Sequence, residues 1–210
     1  MKTRLIFTLS LGVAALNAYA LGPAVTSFTG GSRFTSFFGS QQSTPDVVGF
    51  RFTANTDFNV VRLGVWNDND LNGLEEDHEV GLWRQSDGVL LAQATVGPTG
   101  ILIGDFRYTA ISAVTLNSGT DYIIGATYWT GGLDGYISSP TSATYDADIT
   151  HVGAMHPAGV DMGFVMPVNL TTTNRGRFGP NFISEAVPEP SSMALLALGG
   201  LALLRRRRKA

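Results

Sequence analysis

Apolar and polar residues alternate along the middle of the chain in short runs. Residues 48–53 place an apolar side chain at every second position, which is the period of a strand with one buried face. Asn, Asp and Gly separate the runs, and Asp87-Gly88 between two of them is typical of a β-hairpin turn. The pattern predicts strands at 48–53, 58–66, 78–84, 89–96, 106–113, 114–116 and 122–129.

The flanking stretches are less regular. Residues 21–45 are rich in Gly, Ser, Thr and Phe and suggest an irregular first strand, whereas residues 131–148 suggest a loop with a short strand at 135–137. Residues 163–170 and 178–183 are expected to return to the sheet. No window keeps the 3.6-residue apolar period of a helix. The predicted fold is all-β, an antiparallel β-sandwich of jelly-roll-like form, in preference to a closed barrel.

The N-terminal end carries a different pattern. Lys2 and Arg4 precede an apolar run over residues 5–16, and Ala18-Tyr19-Ala20 supplies the small residues of a cleavage site. These features predict a signal peptide at residues 1–20, removed by signal peptidase. A retained N-terminal helix is the alternative, but the run is short for a membrane span.

The C-terminal end has three parts in a fixed order. A turn at Val187, Pro188, Glu189 and Pro190 precedes an apolar, helix-forming run at residues 193–204. The last part is a basic block that contains Arg205, Arg206, Arg207 and Arg208. At about 1.5 Å per residue the run covers roughly 18 Å, so it predicts a transmembrane helix only if flanking residues contribute. The arginines would hold that end in the cytoplasm.

This order resembles the PEP-CTERM sorting signal of Gram-negative, biofilm-forming bacteria. The resemblance implies an exosortase as partner, which cleaves near the Pro-Glu-Pro and releases the protein from the inner membrane to the cell surface or extracellular matrix. An ordinary C-terminal anchor is the alternative, although it would need a longer span and no Pro-Glu-Pro.

Residues 21–186 remain as one domain of ordinary length. They contain seven basic and 16 acidic residues, a net charge of −9, and no lysine. Such a surface argues against nucleic acid as a partner and favours cations. The chain has no cysteine, which excludes disulfides and thiolate metal sites.

Several strand sequences in this domain form a familiar series, with Phe50-Arg51-Phe52-Thr53, Leu63-Gly64-Val65-Trp66 and Tyr122-Ile123-Ile124-Gly125 as examples. Together with Phe178-Gly179-Pro180-Asn181-Phe182, the series resembles an uncharacterised β-sandwich domain that recurs in bacterial exported proteins. The resemblance implies a fold but no activity.

The segment from Asp68 to Glu79 matches the calcium-loop pattern D-x-D-x-N-G-x₅-E. Hard oxygens at this spacing suit Ca²⁺, with side-chain ligands from Asp68, Asp70 and Asn72, a carbonyl from Leu74, and bidentate Glu79. Strands rather than helices flank the loop. The alternative is a solvated acidic turn whose Asp and Asn side chains cap backbone amides.

Aromatic residues suggest a second ligand class. Trp129 and Tyr136 are candidates for stacking on sugar rings, and Tyr136 lies in a Gly-rich stretch that predicts surface exposure. The alternative for the tryptophans is burial in the core. No catalytic residues are predicted, because the chain lacks nucleophile-elbow, phosphate-loop and H-E-x-x-H motifs.

The sequence therefore predicts a non-enzymatic structural or adhesive protein of the cell surface or extracellular polymer matrix. A carbohydrate-binding module acting on exopolysaccharide is the second hypothesis, and a polysaccharide hydrolase the third.

Overall fold

The computed structural model describes residues 22–39, 43–68, 72–129 and 131–187. The predicted signal peptide and the predicted helix at 193–204 lie outside these residues. Within them the chain forms strands and no helix. No helix long and apolar enough to cross a membrane therefore occurs in this part of the chain.

The described strands run in chain order as follows: β1 Val25–Thr29, β2 Ser32–Phe34, β3 Asp46–Ala54, β4 Phe58–Trp66, β5 His78–Arg84, β6 Leu90–Val96, β7 Ile101–Ile103, β8 Phe106–Leu116, β9 Asp121–Tyr128, β10 Tyr136–Ser138, β11 Ser142–Tyr145, β12 Ile149–His156, β13 Asn169–Thr171, β14 Arg177–Phe178 and β15 Pro180–Ala186.

Two antiparallel sheets form the body of the domain. One has the strand order β13-β12-β3-β9-β5-β6 and the other β15-β4-β8-β7. Their inner faces meet through phenylalanines: the ring centroids of Phe52 and Phe182 are 5.1 Å apart, and those of Phe58 and Phe182 are 6.0 Å apart. All three side chains are fully buried. The prediction of an all-β, antiparallel architecture is confirmed, since apolar faces of period two are buried by stacking sheet on sheet.

Two small sheets close the sandwich. β1 pairs with β11, and β10 lies between β2 and β14. The residue before β1 also contacts β15, because the Ala24 amide donates to the Phe182 carbonyl at 2.9 Å. The Asn181 side chain then accepts from the Val25 amide at 3.0 Å and donates to the Val25 carbonyl at 2.9 Å. The first and last described strands are thus tied to each other.

The outer face of the six-stranded sheet carries a row of glycines. Gly49 of β3 pairs with Gly125 of β9, which pairs with Gly81 of β5. The Trp83 indole lies over this row, since a Cβ on Gly81 would be 2.2 Å from its Cη2 atom. Phe164, from the segment after β12, packs on Trp83 with ring centroids 5.4 Å apart. The row therefore makes room for a bulky ring on a sheet that is buried on both faces.

The strand predictions are correct to the residue for β4 and β5, and nearly so for β3, β6 and β9. β8 is one strand where two were predicted. The strand predicted at 163–170 is wrong for most of its length, because only its end contributes to β13 and the rest is irregular chain over the outer face. β11 and β12 were not predicted.

β12 also carries a histidine whose protonation should make the stability of the fold depend on pH. Burial lowers the pKa of His151 to about 4, and its ring stacks on Tyr145 with centroids 4.7 Å apart. The folded protein therefore holds His151 neutral at pH values where the unfolded chain, with a pKa near 6.5, binds a proton.

The contribution of neutral His151 to the free energy of unfolding is expected to be complete above about pH 6.5 and to be lost as the pH falls towards 4. Melting temperatures of residues 21–186 measured across this range test the expectation against His151→Gln. The variant should show a shallower slope of Tm with pH. Equal slopes would contradict the assignment.

Candidate functional site

The acidic loop lies between β4 and β5 at one end of the sandwich. Its described residues are 67–68 and 72–77, and Asp70 lies outside the described residues. Asn67 organises the turn, since its Oδ1 accepts from the Leu74 amide at 3.3 Å and from Arg107 Nε at 2.6 Å. The loop is therefore fastened to the sheet by an uncharged side chain at its start.

Asp68 is the first acidic residue of the loop and is fully buried. It forms a two-pronged ion pair with Arg33 of β2, in which Nε lies 2.9 Å from Oδ1 and Nη2 lies 2.5 Å from Oδ2. The Gly135 amide also donates to Oδ2 at 2.8 Å. The backbone of Asp68 has a φ of 49°, a left-handed conformation that costs energy in a residue with a Cβ. The ion pair stabilises this conformation.

Asp134 supports the other half of the loop and is 1% exposed. Its carboxylate accepts from the Glu75 amide at 2.9 Å and from the Glu76 amide at 2.6 Å. The same carboxylate lies 3.1 Å from Nε2 of His78, the first residue of β5. Three donors from the loop and the adjoining strand therefore converge on one buried carboxylate.

His78 lies between two acceptors. Its Nδ1 is 2.5 Å from the Thr127 carbonyl oxygen and its Nε2 is 3.1 Å from Asp134 Oδ2. Burial alone would raise the pKa of Asp134, but the hydrogen bonds from His78 and the loop amides hold it below its ordinary value. Burial also raises the pKa of the neighbouring Tyr128 hydroxyl, which keeps its proton.

Arg33, Asp68, His78 and Asp134 form what we term the ionic cluster. Each carboxylate has its own buried or half-buried nitrogen partner, Arg33 for Asp68 and His78 for Asp134. It joins β2, the acidic loop, β5 and the segment before β10. This arrangement fixes the shape of the loop from beneath.

Three of the predicted calcium ligands have other side-chain partners in the structure. Asp68 binds Arg33, and Asn72 Nδ2 donates to Glu75 Oε1 at 3.0 Å. Glu79 lies on β5 and accepts from Gln93 of β6 at 3.1 Å. Leu74 is buried over the core. Across residues 22–39, 43–68, 72–129 and 131–187, no three His, Asp or Glu side chains form a group that holds a metal ion.

Calcium binding stays a prediction that melting experiments decide. Binding to the folded state alone adds about 2.7 kcal/mol at a hundredfold excess over Kd, which is roughly 5–11 °C in Tm for a domain of this size. Residues 21–186 are melted in millimolar Ca²⁺, in Mg²⁺ and in chelator, as wild type and as Asp70→Asn. A rise specific to Ca²⁺ and absent from the variant is the expected result. Coincident melts in Ca²⁺ and chelator contradict it.

The aromatic candidates behave differently from one another. Tyr136 is 2% exposed, so the expectation that it lies on the surface is wrong. It is the first residue of β10, where it pairs with Phe34 of β2, and the two rings stack with centroids 6.1 Å apart. Trp66 and Trp83 are buried, as the core interpretation predicts. Trp129 is 42% exposed and remains available to a ligand.

The residues that shape this site were not predicted from the sequence. Arg33 and Asp134 come from stretches whose pattern predicts only loop or irregular strand, 35 and 56 residues from their partners. The one signal is His78 itself, a polar residue at the start of an apolar strand that needs buried partners.

Comparison with protein families identifies the C-terminal segment. Residues 186–209 match the PEP-CTERM protein-sorting motif. The motif implies an exported protein that an exosortase processes at the cell envelope. Ala186, the last residue of β15, is the first residue of the match. No curated protein sequence matches the chain.

Proposed function

We propose that this protein is a non-enzymatic structural or adhesive component of the cell surface or extracellular polymer matrix, delivered there by its sorting motif. The observation that carries the proposal is the direct joining of that motif to the sandwich. β15 pairs with β4 up to Ala186, so the sorting segment begins where the sheet ends. A processing enzyme therefore receives its segment next to a folded domain, with no second domain between them.

The core and the charge of the domain suit an extracellular protein. It has a large phenylalanine-rich core and uses no disulfide, so its stability does not depend on the redox state of the surroundings. Its net charge of −9 opposes binding to anionic surfaces and favours hydrated, polyhydroxylated partners. These properties support a role in a polysaccharide matrix.

The sorting step is tested in a host that carries an exosortase. Intact-mass analysis of the extracellular fraction is expected to find a chain that has lost its C-terminal segment. A variant with Pro188→Ala, Glu189→Ala and Pro190→Ala should stay in the membrane fraction with its full C-terminus. Glu185→Ala is the matched control. It removes an acidic side chain two residues before the turn at Val187, and the variant should be processed normally.

A secreted wild-type chain that still ends at Ala210 would contradict the sorting proposal. The adhesive role is tested separately, by asking whether the extracellular protein sediments with the host's purified exopolysaccharide. Shortening of that polymer during incubation would contradict the non-enzymatic role and favour the hydrolase.

A carbohydrate-binding module is the second candidate. The exposed Trp129 favours it, because an aromatic face on the surface stacks on the apolar face of a pyranose ring. Leu133, 55% exposed, lies on the same segment, and its amide donates to Glu76 Oε2 at 3.1 Å. Saturable sugar affinity that is lost in Trp129→Ala would support this candidate.

A further inference from the structure

A groove lies on the side of the sandwich where β6 approaches β8, away from the sealed side at β1 and β11. It is an open groove with a volume of about 430 Å³. Residues from both sheets line it: Arg62 of β4, Thr95 of β6, Ile101 of β7 and Tyr108 of β8, together with Asp77 and Thr99 from the adjoining turns. The volume is that of an ordinary small-ligand site.

Two opposite charges face this groove without meeting. Within the described part of the chain, neither the Arg62 guanidinium nor the Asp77 carboxylate has a hydrogen-bond or ion-pair partner. Arg33, Arg51 and Arg84 by contrast each pair with an aspartate. An acceptor on the turn before β5 and a donor on β4 thus line one open groove, and the acceptor, Asp77, is exposed.

Glycine leaves room for the carboxylate in this position. A Cβ on Gly97 would lie 1.8 Å from Asp77 Oδ1, so glycine lets the carboxylate lie against the backbone there. Gly100 completes the turn, where an added Cβ would be 3.1 Å from the Gly97 carbonyl oxygen. The turn between β6 and β7 therefore leaves room for the Asp77 carboxylate.

The remaining walls extend the same chemistry. The Thr95 and Thr99 hydroxyls can donate or accept, and Ile101, 54% exposed, offers an apolar surface at the rim. Tyr108 is 1% exposed and closes the groove from the core side. A ligand that suits these walls is a compact molecule with adjacent hydrogen-bond donors and acceptors and one apolar face.

We propose that this groove binds a pyranose unit of an extracellular polysaccharide. Adjacent ring hydroxyls donate to the Asp77 carboxylate and accept from the Arg62 guanidinium, while ring C–H groups lie against Ile101. A neutral sugar and a uronic acid share this vicinal diol. The assignment rests on the adhesive function proposed above and gives it a site distinct from Trp129.

The test is affinity electrophoresis of the full-length chain in a non-ionic detergent, through gels that contain the host's exopolysaccharide, dextran or alginate. Retardation by at least one polymer is expected. Asp77→Asn and Arg62→Gln should each weaken it about 10- to 100-fold, because each removes a charge-assisted hydrogen bond. Dextran binding identifies the neutral unit, and binding to alginate alone identifies the uronate.

Arg84→Gln and Asp87→Asn form the matched control. They make the same chemical changes in an exposed ion pair at the β5–β6 turn, outside the groove, and should leave retardation unchanged. Because Asp77 and Arg62 have no described partner, their variants should also keep the wild-type Tm.

Two results overturn the proposal. One is the absence of retardation by all three polymers. The other is retardation that survives both groove substitutions. If that retardation is lost in Trp129→Ala, the sugar site lies at Trp129 and the adhesive function still holds. Failure of the function itself shows differently, as an extracellular chain that does not sediment with the exopolysaccharide.

Discussion

A Gly49→Ala variant is expected to be unfolded, or to melt far below the wild-type protein. The added Cβ would lie 1.9 Å from the Ile124 carbonyl oxygen, a backbone atom of β9. That atom cannot withdraw without opening the β3–β9 ladder at the centre of the six-stranded sheet. Overpacking against flexible side chains costs about 1–3 kcal/mol, whereas this clash with backbone should exceed about 4 kcal/mol.

Urea unfolding of residues 21–186 measures the loss. Gly159→Ala is the matched control, because the nearest atom to its added Cβ is Met162 Sδ at 3.9 Å, an ordinary contact distance. It should change the free energy of unfolding by only a few tenths of a kcal/mol. Equal effects at the two positions would show that the packing of β3 against β9 differs from the one described.

The second large effect is expected for Asp134→Ala. This change leaves the amides of Glu75 and Glu76 and the His78 ring without their shared acceptor. Buried donors without partners cost about 1–3 kcal/mol each. A loss of about 3 kcal/mol or more is therefore expected, roughly 6–12 °C in Tm.

Asp161→Ala is the control for this prediction. Asp161 also accepts from two backbone amides, those of Ser43 and Thr44, but it is exposed. Its substitution should move Tm far less, because water replaces the lost acceptor. If Asp134→Ala and Asp161→Ala gave equal shifts, the ionic cluster would not be what holds the acidic loop.

The strands that the sequence predicts best are those with an undisturbed alternation. β5 has the predicted bounds because turn residues flank it and its own apolar residues alternate. β12 escapes prediction because its register shifts between His151 and Gly153, which breaks the period of two, and because Gly153 and Ala154 carry little hydrophobic signal. Period-based reasoning fails where a bulge resets the phase of a strand.

The acidic loop shows a different limit. Its Asp and Asn spacing is visible in the sequence, and so is its fit to a calcium pattern. Its partners are not, since Arg33 and Asp134 come from distant stretches and reach the loop only when β2 and β10 pair beside it. A local motif shows which ligand groups a loop carries, but distant residues decide which of those groups already have hydrogen-bond or ion-pair partners.

The joining of β15 to both β4 and the β1 segment has a mechanical consequence. A chain held at residue 187 transmits traction first to β15, whose seven register pairs run from Pro180 opposite Val65 to Ala186 opposite Phe58. A pull along the strand loads these pairs together in shear, whereas a pull outward peels them one at a time from Ala186. Such peeling meets buried Phe182 first and then Asn181, which is clamped to Val25 by two hydrogen bonds. The domain should therefore resist drag best when its tether lies in line with β15.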